Sequence, residues 1–316
     1  MNSEHNHSPH RRRLLQAGLL AGLAAAVPQA VVRAADSTRL IKKAIPGSGQ
    51  KIPAVGLGTN QFDHADYPDV RNIVERMPQL GSTVINTASA YRDSEAKIGQ
   101  ALSELHLTRD MFISTMFDMP GVTASKDPIS GKESIERSFQ RLQRVDLMFI
   151  HLILGVESMM PVLQQLKAQG RVRYIGITNV YRPEDNPLLI QYLRKYPLDF
   201  VQVPYSIGDR RVEEEILPLA HERKIAVMAA APLGGTHDSL FSHINGRELP
   251  GWATDYNITS WGQFFLKYVI SHPAITCAIP GSTKVVHLED NLAAGRGALP
   301  DAAGRRKMEA YWAKSS

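Results

Sequence analysis

Tyr91 and His151 are the side chains of this sequence best equipped to move a proton, and each stands at the end of a short β-branched run. An imidazole titrates near neutrality and suits general acid–base work, whereas a phenol with an ordinary pKa near ~10 is a more reluctant acid. Tyr91 follows the run Thr83 to Thr87 within Asn86-Thr87-Ala88-Ser89-Ala90-Tyr91, and His151 lies in Phe149-Ile150-His151. Met116 closes Ser114-Thr115-Met116, and Thr178-Asn179 closes the run from Arg173. Taken singly, a histidine closing a strand usually satisfies a backbone group, and a tyrosine usually packs. Unusual residues at the ends of successive strands instead mark one decorated mouth. Such a pair could drive a redox-neutral proton transfer, although nothing in the sequence specifies a substrate for it.

Strands must hold these ends side by side. From Ile52 onward, β-branched runs alternate with amphipathic stretches, the pattern of βα units around a parallel sheet. The predicted strands are Ala54 to Gly58, Thr83 to Thr87, Met111 to Met116, Leu147 to Leu152, Arg173 to Thr178, Phe200 to Pro204, Ala226 to Ala230 and Thr276 to Ile279. Helical periodicity is clear over Glu95 to Leu105, Lys132 to Leu142, Met159 to Ala168, Glu213 to Arg223 and Trp261 to Ile270. It is weaker over Asp69 to Met77, Pro187 to Lys195 and Val286 to Ala294. Eight alternations fit an α/β fold of the (β/α)8 TIM barrel type better than a doubly wound sheet. No GxGxxG follows the first strand, which also argues against a Rossmann domain. Met159-Met160 and the aromatic set Trp261, Phe264, Phe265 and Tyr268 are expected to be helix faces packed on the barrel. The patternless connection from Gly234 to Thr259 follows the seventh strand and is expected to be a lid over the mouth.

Residues 1–34 read as a separate unit. Arg11-Arg12-Arg13-Leu14-Leu15-Gln16 and the apolar run Ala17 to Val27 resemble a twin-arginine export signal, with Val32-Arg33-Ala34 as its cleavage site. The expected organisation is a signal peptide over 1–34, a single barrel over 35–316, a periplasmic location and membrane contact only during export. Pro28 and the Ala/Gly content of Leu14 to Val32 count against a spanning anchor. His5, His7 and His10 fall in the removed segment, and no metal site is assigned. Four arginines and one glutamate through residue 34 carry +3 of the chain's net charge of +5. The high pI is therefore largely the signal's, and no nucleic-acid partner is expected. Cys277 is the single cysteine, which excludes an intrachain disulfide and suits a buried strand.

The strand ends resemble those of the aldo-keto reductases, (β/α)8 barrels that pass hydride from NADPH to carbonyls. The resemblance covers nearly the whole chain after the signal. Val55-Gly56-Leu57-Gly58-Thr59 looks like the family's first strand, and Tyr91-Arg92-Asp93-Ser94-Glu95 with Ile98-Gly99 looks like its YGxSE helix start. Ile175-Gly176-Ile177-Thr178-Asn179 is similar to the stretch that holds the nicotinamide carboxamide, and Val201 to Ser206 matches the segment carrying a further carboxamide-binding glutamine, Gln202. Pro232-Leu233-Gly234 follows the seventh strand as in the family. Ile279-Pro280-Gly281-Ser282 with His287, Asp290 and Asn291 is similar to the adenosine-phosphate loop.

By that resemblance the catalytic positions are Asn86, Tyr91, Met116 and His151, with Asn86 where the family has Asp and Met116 where it has Lys. The resemblance implies NADP(H) as cofactor, a small-molecule carbonyl substrate, and proton transfer that is altered or weakened. The two replacements fit each other, because losing the aspartate alone would strand a buried lysine at a cost of ~3 to 5 kcal/mol. Cofactor contacts are altered too. Ala230 and Ala231 stand where many members have a large side chain against the nicotinamide ring, and Gly281 and His287 stand where a subset has lysine and arginine for the 2′-phosphate. Ser282, the loop amides and the following helix N-terminus still suit a phosphate. Arg92, Asp118 and Lys126 read as solvated loop charges, with one of them swinging into the vacated place as the alternative. Two functions stay open: a reductase of altered chemistry, or an inactive periplasmic barrel that binds a ligand or partner. Repeated turnover outside the cytoplasm would call for a reductant partner that the sequence does not name.

Overall fold

A computed structural model describes residues 38–119, 130–153, 155–180, 182–235 and 238–314. The signal segment and Lys126 lie outside these residues. An antiparallel hairpin, β1 (Lys42–Ala44) and β2 (Lys51–Pro53), precedes eight parallel strands. These are β3 (Leu57–Gly58), β4 (Val84–Asn86), β5 (Phe112–Phe117), β6 (Leu147–Ile150), β7 (Tyr174–Thr178), β8 (Phe200–Pro204), β9 (Ala226–Ala230) and β10 (Ile275–Ala278), each paired with the next. Parallel bridges Val55 to Ala278 and Gly58 to Gly281 join the first strand to the last, so the sheet closes into the expected (β/α)8 barrel.

The surrounding helices are α1 (Tyr67–Gln79), α2 (Ser94–Glu104), α3 (Gly131–Leu142), α4 (Val156–Ala168), α5 (Asn186–Lys195), α6 (Ile216–Glu222), α7 (Trp261–Ser271) and α8 (Val285–Ala293), with α9 (Ala302–Ala313) at the C-terminal end. Three of the starts, those of α3, α7 and α9, carry a side-chain cap. The Ser130 hydroxyl accepts from Glu133 N–H while the Glu133 carboxylate accepts from Ser130 N–H, a capping box that starts α3. Ser260 caps α7 by accepting from Gln263 N–H and donates its own hydroxyl to Asp290 of α8.

Alternate residues of each strand point inward. Phe112, Phe149, Tyr174 and Phe200 fill the lower barrel with ring centroids 5.6–6.4 Å apart. Gly176 makes room for this packing, since a Cβ there would lie 2.5 Å from the Phe149 ring. The hairpin plugs the same end with Ile45 and Ile52, and Tyr174 donates its hydroxyl to Gln50 at 2.7 Å. Cys277 is buried in β10, where burial pushes its thiol up to about 12. Met159, Met160, Phe264, Phe265 and Tyr268 belong to the layer between helices and barrel, as their spacing predicts.

The connection after β9 is more ordered than its sequence suggests. It carries short 3-10 helices at Leu240–His243 and Gly251–Tyr256. Arg247 lies over the rings of Trp261 and Tyr311 and donates to the Tyr311 carbonyl at 2.6 Å, which fastens the loop to α7 and α9. The expected lid is thus a pinned wall.

Candidate active site

The C-terminal mouth of the barrel opens into a cavity of about 650 Å³. Asn86, Met116 and Gln202 line its floor, with Tyr91 and His151 beside them, and Ala230 and Ala231 face it from the end of β9. Asn86 is buried and its amide nitrogen donates to Ser114 Oγ and to Gln202 Oε1, both at 3.0 Å. Ser114 Oγ donates in turn to the Ile85 carbonyl at 3.0 Å. Met116 packs into the barrel's apolar interior with Phe149, Met228 and Ala230. The floor is therefore neutral, with Asn86 held by hydrogen bonds where a charge would need a partner.

His151 lies where β6 gives way to a 3-10 turn, not at the end of a longer strand. Leu152 and Ile153 adopt φ of 57° and 52°, and Leu152 N–H donates to Thr178 Oγ1 at 3.0 Å. A β-branched residue in the left-handed region is rare, so this turn is imposed by its surroundings. It sets His151 Nδ1 3.4 Å from Asp118 Oδ1. Asp118 is 4% exposed, which corrects the expectation of a solvated loop charge. Alternation along β5 puts Ser114, Met116 and Asp118 on one face, and that alternation is the signal that finds it. Arg92 turns away from the floor, its side chain exposed and 3.7 Å from Asp63.

At the other end, Pro232, Leu233, Gly234, Gly281, Ser282, His287, Asp290 and Asn291 all line the same cavity. The Ser282 hydroxyl donates to the Lys284 carbonyl and accepts from its N–H, shaping the turn into α8. Asp290 accepts from Ser260 Oγ at 2.7 Å and Gln263 Nε2 at 2.8 Å, so both its oxygens brace α7.

The aldo/keto reductase family profile matches residues 54–306. The chain belongs to that family. Methylglyoxal reductase YeaE of Escherichia coli (strain K12) is 29% identical over 269 residues, covering 80% of this chain and 89% of its own. Probable aldo-keto reductase 1 of Glycine max is 26% identical over 278 residues, covering 76% and 78%. An aldo/keto reductase from Klebsiella pneumoniae, solved in complex with NADP and acetate, superposes with a TM-score of 0.69 at 25% identity over 86% of this chain and 96% of that one. Aldo-keto reductase AKR11C1 from Bacillus halodurans in its holo form shares the fold, with a TM-score of 0.70 at 22% identity over 88% and 98%.

Most site positions suggested by the family resemblance converge on the cavity, but Thr178 and Asn179 do not line it. Both are buried: Thr178 accepts from Leu152 N–H, and Asn179 donates to the Arg182 carbonyl at 2.8 Å and Asn186 Oδ1 at 2.9 Å. They shape the loops around the mouth. Lining residues beyond the named site positions include Thr59, Asn60 and Gln61 after β3, Val180 after β7, and Ser239 and Phe241 from the pinned loop. Phe241 is one of two large apolar side chains left exposed among the described residues, and its ring meets Phe265 edge-on at 5.7 Å. Among the described residues no group of three or more His, Cys, Asp or Glu could hold a metal.

Proposed function

We propose that this chain is an NADP(H)-linked oxidoreductase that reduces a carbonyl substrate with altered proton transfer. The observation that carries the reading is the single cavity, which has His151 and Tyr91 at one end and the Gly281 to Asn291 turn at the other. The residues fit a dinucleotide. Gly234 and Gly281 bring bare backbone to the cavity, and the N-terminus of α8, with Ser282 before it, suits a phosphate. Gln202, Ser282, His287 and Asn291 would hold the cofactor, which when bound supplies the hydride. Tyr91 and His151 would hydrogen-bond the carbonyl oxygen and deliver the proton. Asn86 and Met116 leave the floor neutral, so proton delivery there falls to Tyr91 and His151.

A second reading has a specific observation in its favour. The same neutral floor suits an inactive barrel that binds a ligand or partner without turnover. Purified protein lacking residues 1–34 is titrated with NADPH by fluorescence, then assayed on carbonyls beside an Asn86→Asp, Met116→Lys double variant. The names of the methylglyoxal reductases make 2-oxoaldehydes the first substrates to try. Saturable binding with wild-type turnover supports the reductase. Binding without turnover favours the inactive barrel, and no binding up to millimolar NADPH sinks the reductase.

We further propose that the protein is exported folded by the twin-arginine route and works in the periplasm, supported by Arg11-Arg12-Arg13 and the apolar run behind them. Mass spectrometry of the exported protein should give an N-terminus at Ala35. An intact Met1 terminus on periplasmic protein would reject the cleavage.

A further inference from the structure

We infer that Asp118 is a positioning residue for His151: it holds the imidazole as the Nδ1–H tautomer, so that Nε2 is the atom exchanging a proton with the substrate. This rests on the oxidoreductase reading for its chemistry, though not for its geometry.

The carboxylate is built into place. Asp118 follows β5 directly, and its backbone N–H donates to Ser89 Oγ at 3.0 Å and Ser134 Oγ at 2.9 Å, two hydroxyls themselves 2.8 Å apart. Those contacts tie the residue to the loop after β4 and to the first turn of α3. His151 is 6% exposed and is fixed from the other side by the left-handed backbone at Leu152 and Ile153. A histidine clamped in this way, with one nitrogen on a buried carboxylate and its ring on a cavity, has the arrangement by which a carboxylate sets the tautomer and the ring's orientation. The separation of 3.4 Å is loose, as catalytic hydrogen bonds often are before ligand closes the site. Tyr91, His287 and Asp290 are the other titratable groups lining the cavity, the last two at its nucleotide end. Asp118 is not itself a lining residue; it meets the cavity's His151 through Nδ1.

The step balances. As the carbonyl carbon accepts hydride from the reduced nicotinamide dinucleotide, the π pair moves onto oxygen. The Nε2–H bond of protonated His151 breaks and an O–H bond forms. Neutral imidazole remains, its Nδ1–H on Asp118, and it regains its proton from solvent.

Two measurements test the assignment. In ¹⁵N ring spectra of the cofactor-free protein, with His151→Gln identifying the signal, neutral His151 should be the Nδ1–H tautomer in wild type and in Asp118→Asn, and should move toward Nε2–H in Asp118→Leu. A wild-type ring that is mainly Nε2–H overturns the pairing. In carbonyl reduction, Asp118→Leu should lower kcat about a hundredfold. Its KM for the dinucleotide should change less than about threefold, since the loss is confined to the chemical step. Asp118→Asn, which keeps an acceptor oxygen, should recover part of that loss. Unchanged kcat in Asp118→Leu overturns the proton role. If wild type reduces no carbonyl, the oxidoreductase reading fails, while the ring spectra still decide whether Asp118 sets the tautomer.

Discussion

Both N–H groups of the Asn86 amide are engaged, one by Ser114 and one by Gln202, which makes the floor a satisfied neutral network. A lone cation introduced beside it meets no carboxylate within that network. Met116→Lys should therefore destabilise the protein by about 3 kcal/mol, and adding Asn86→Asp should recover most of that loss, as read from urea midpoints. A double variant no more stable than Met116→Lys alone would show that the two positions do not pair. The types of these residues were legible in the sequence, and so was their gathering at strand ends. The partnership of Asp118 with His151 was not, because alternation along β5 gives the face Asp118 occupies but not the side chain it meets across the mouth. Thr178 and Asn179 are engaged elsewhere: Thr178 accepts from the distant Leu152 N–H, and Asn179 bonds the nearby Arg182 carbonyl.

At the scale of elements, α2 and α3 approach more closely than side chains would allow. A Cβ on Gly99 would lie 1.8 Å from the Arg141 carbonyl oxygen. Gly99→Ala should destabilise by about 2 to 3 kcal/mol through overpacking, outweighing the gain in helix propensity, and thermal unfolding should show it. An unchanged midpoint would mean that the helices separate freely. The predicted barrel strands fall on the observed ones, with the first and fourth shorter than predicted, and it is their alternation with helical stretches that marks short buried runs as strands. Two elements escaped notice. Hairpin β1–β2 buries only Ile52 and Pro53 within two three-residue strands, too short for periodicity to register. Helix α9 buries few side chains and is held by Arg305, which bonds Glu213 at 2.9 Å and lies over the Tyr268 ring. Met308 and Trp312 are its only buried large apolar side chains, too few for periodicity to stand out. The loop after β9 likewise owes its order to Arg247 and distant aromatic rings.

For the molecule as a whole, burial sets the direction in which pH acts. His272 packs edge-on against Tyr205, and burial, followed by the nearby Arg305 charge, lowers its pKa from 6.5 to about 4. Between those values the unfolded chain binds the proton and the folded chain does not. Stability from this group is thus complete above about pH 6.5 and is lost as pH falls through about 4. Urea unfolding across that range should show stability rising with pH, with a shallower slope in His272→Asn; equal slopes would exclude His272 as the source. Lys43 and Lys267, each bonded to two backbone carbonyls and lowered by burial to about 8, act with the same sign between 8 and 10.5. The barrel's closure has a consequence of its own. Gly58 N–H donates to the Pro280 carbonyl at 2.9 Å, immediately before Gly281 of the turn proposed to meet a phosphate. The seam between first and last strands and that proposed turn are therefore one strip of backbone. Amide hydrogen exchange at Gly56 and Gly58 should slow when a dinucleotide binds, so that occupancy of the mouth is registered as resistance of the cylinder to springing open.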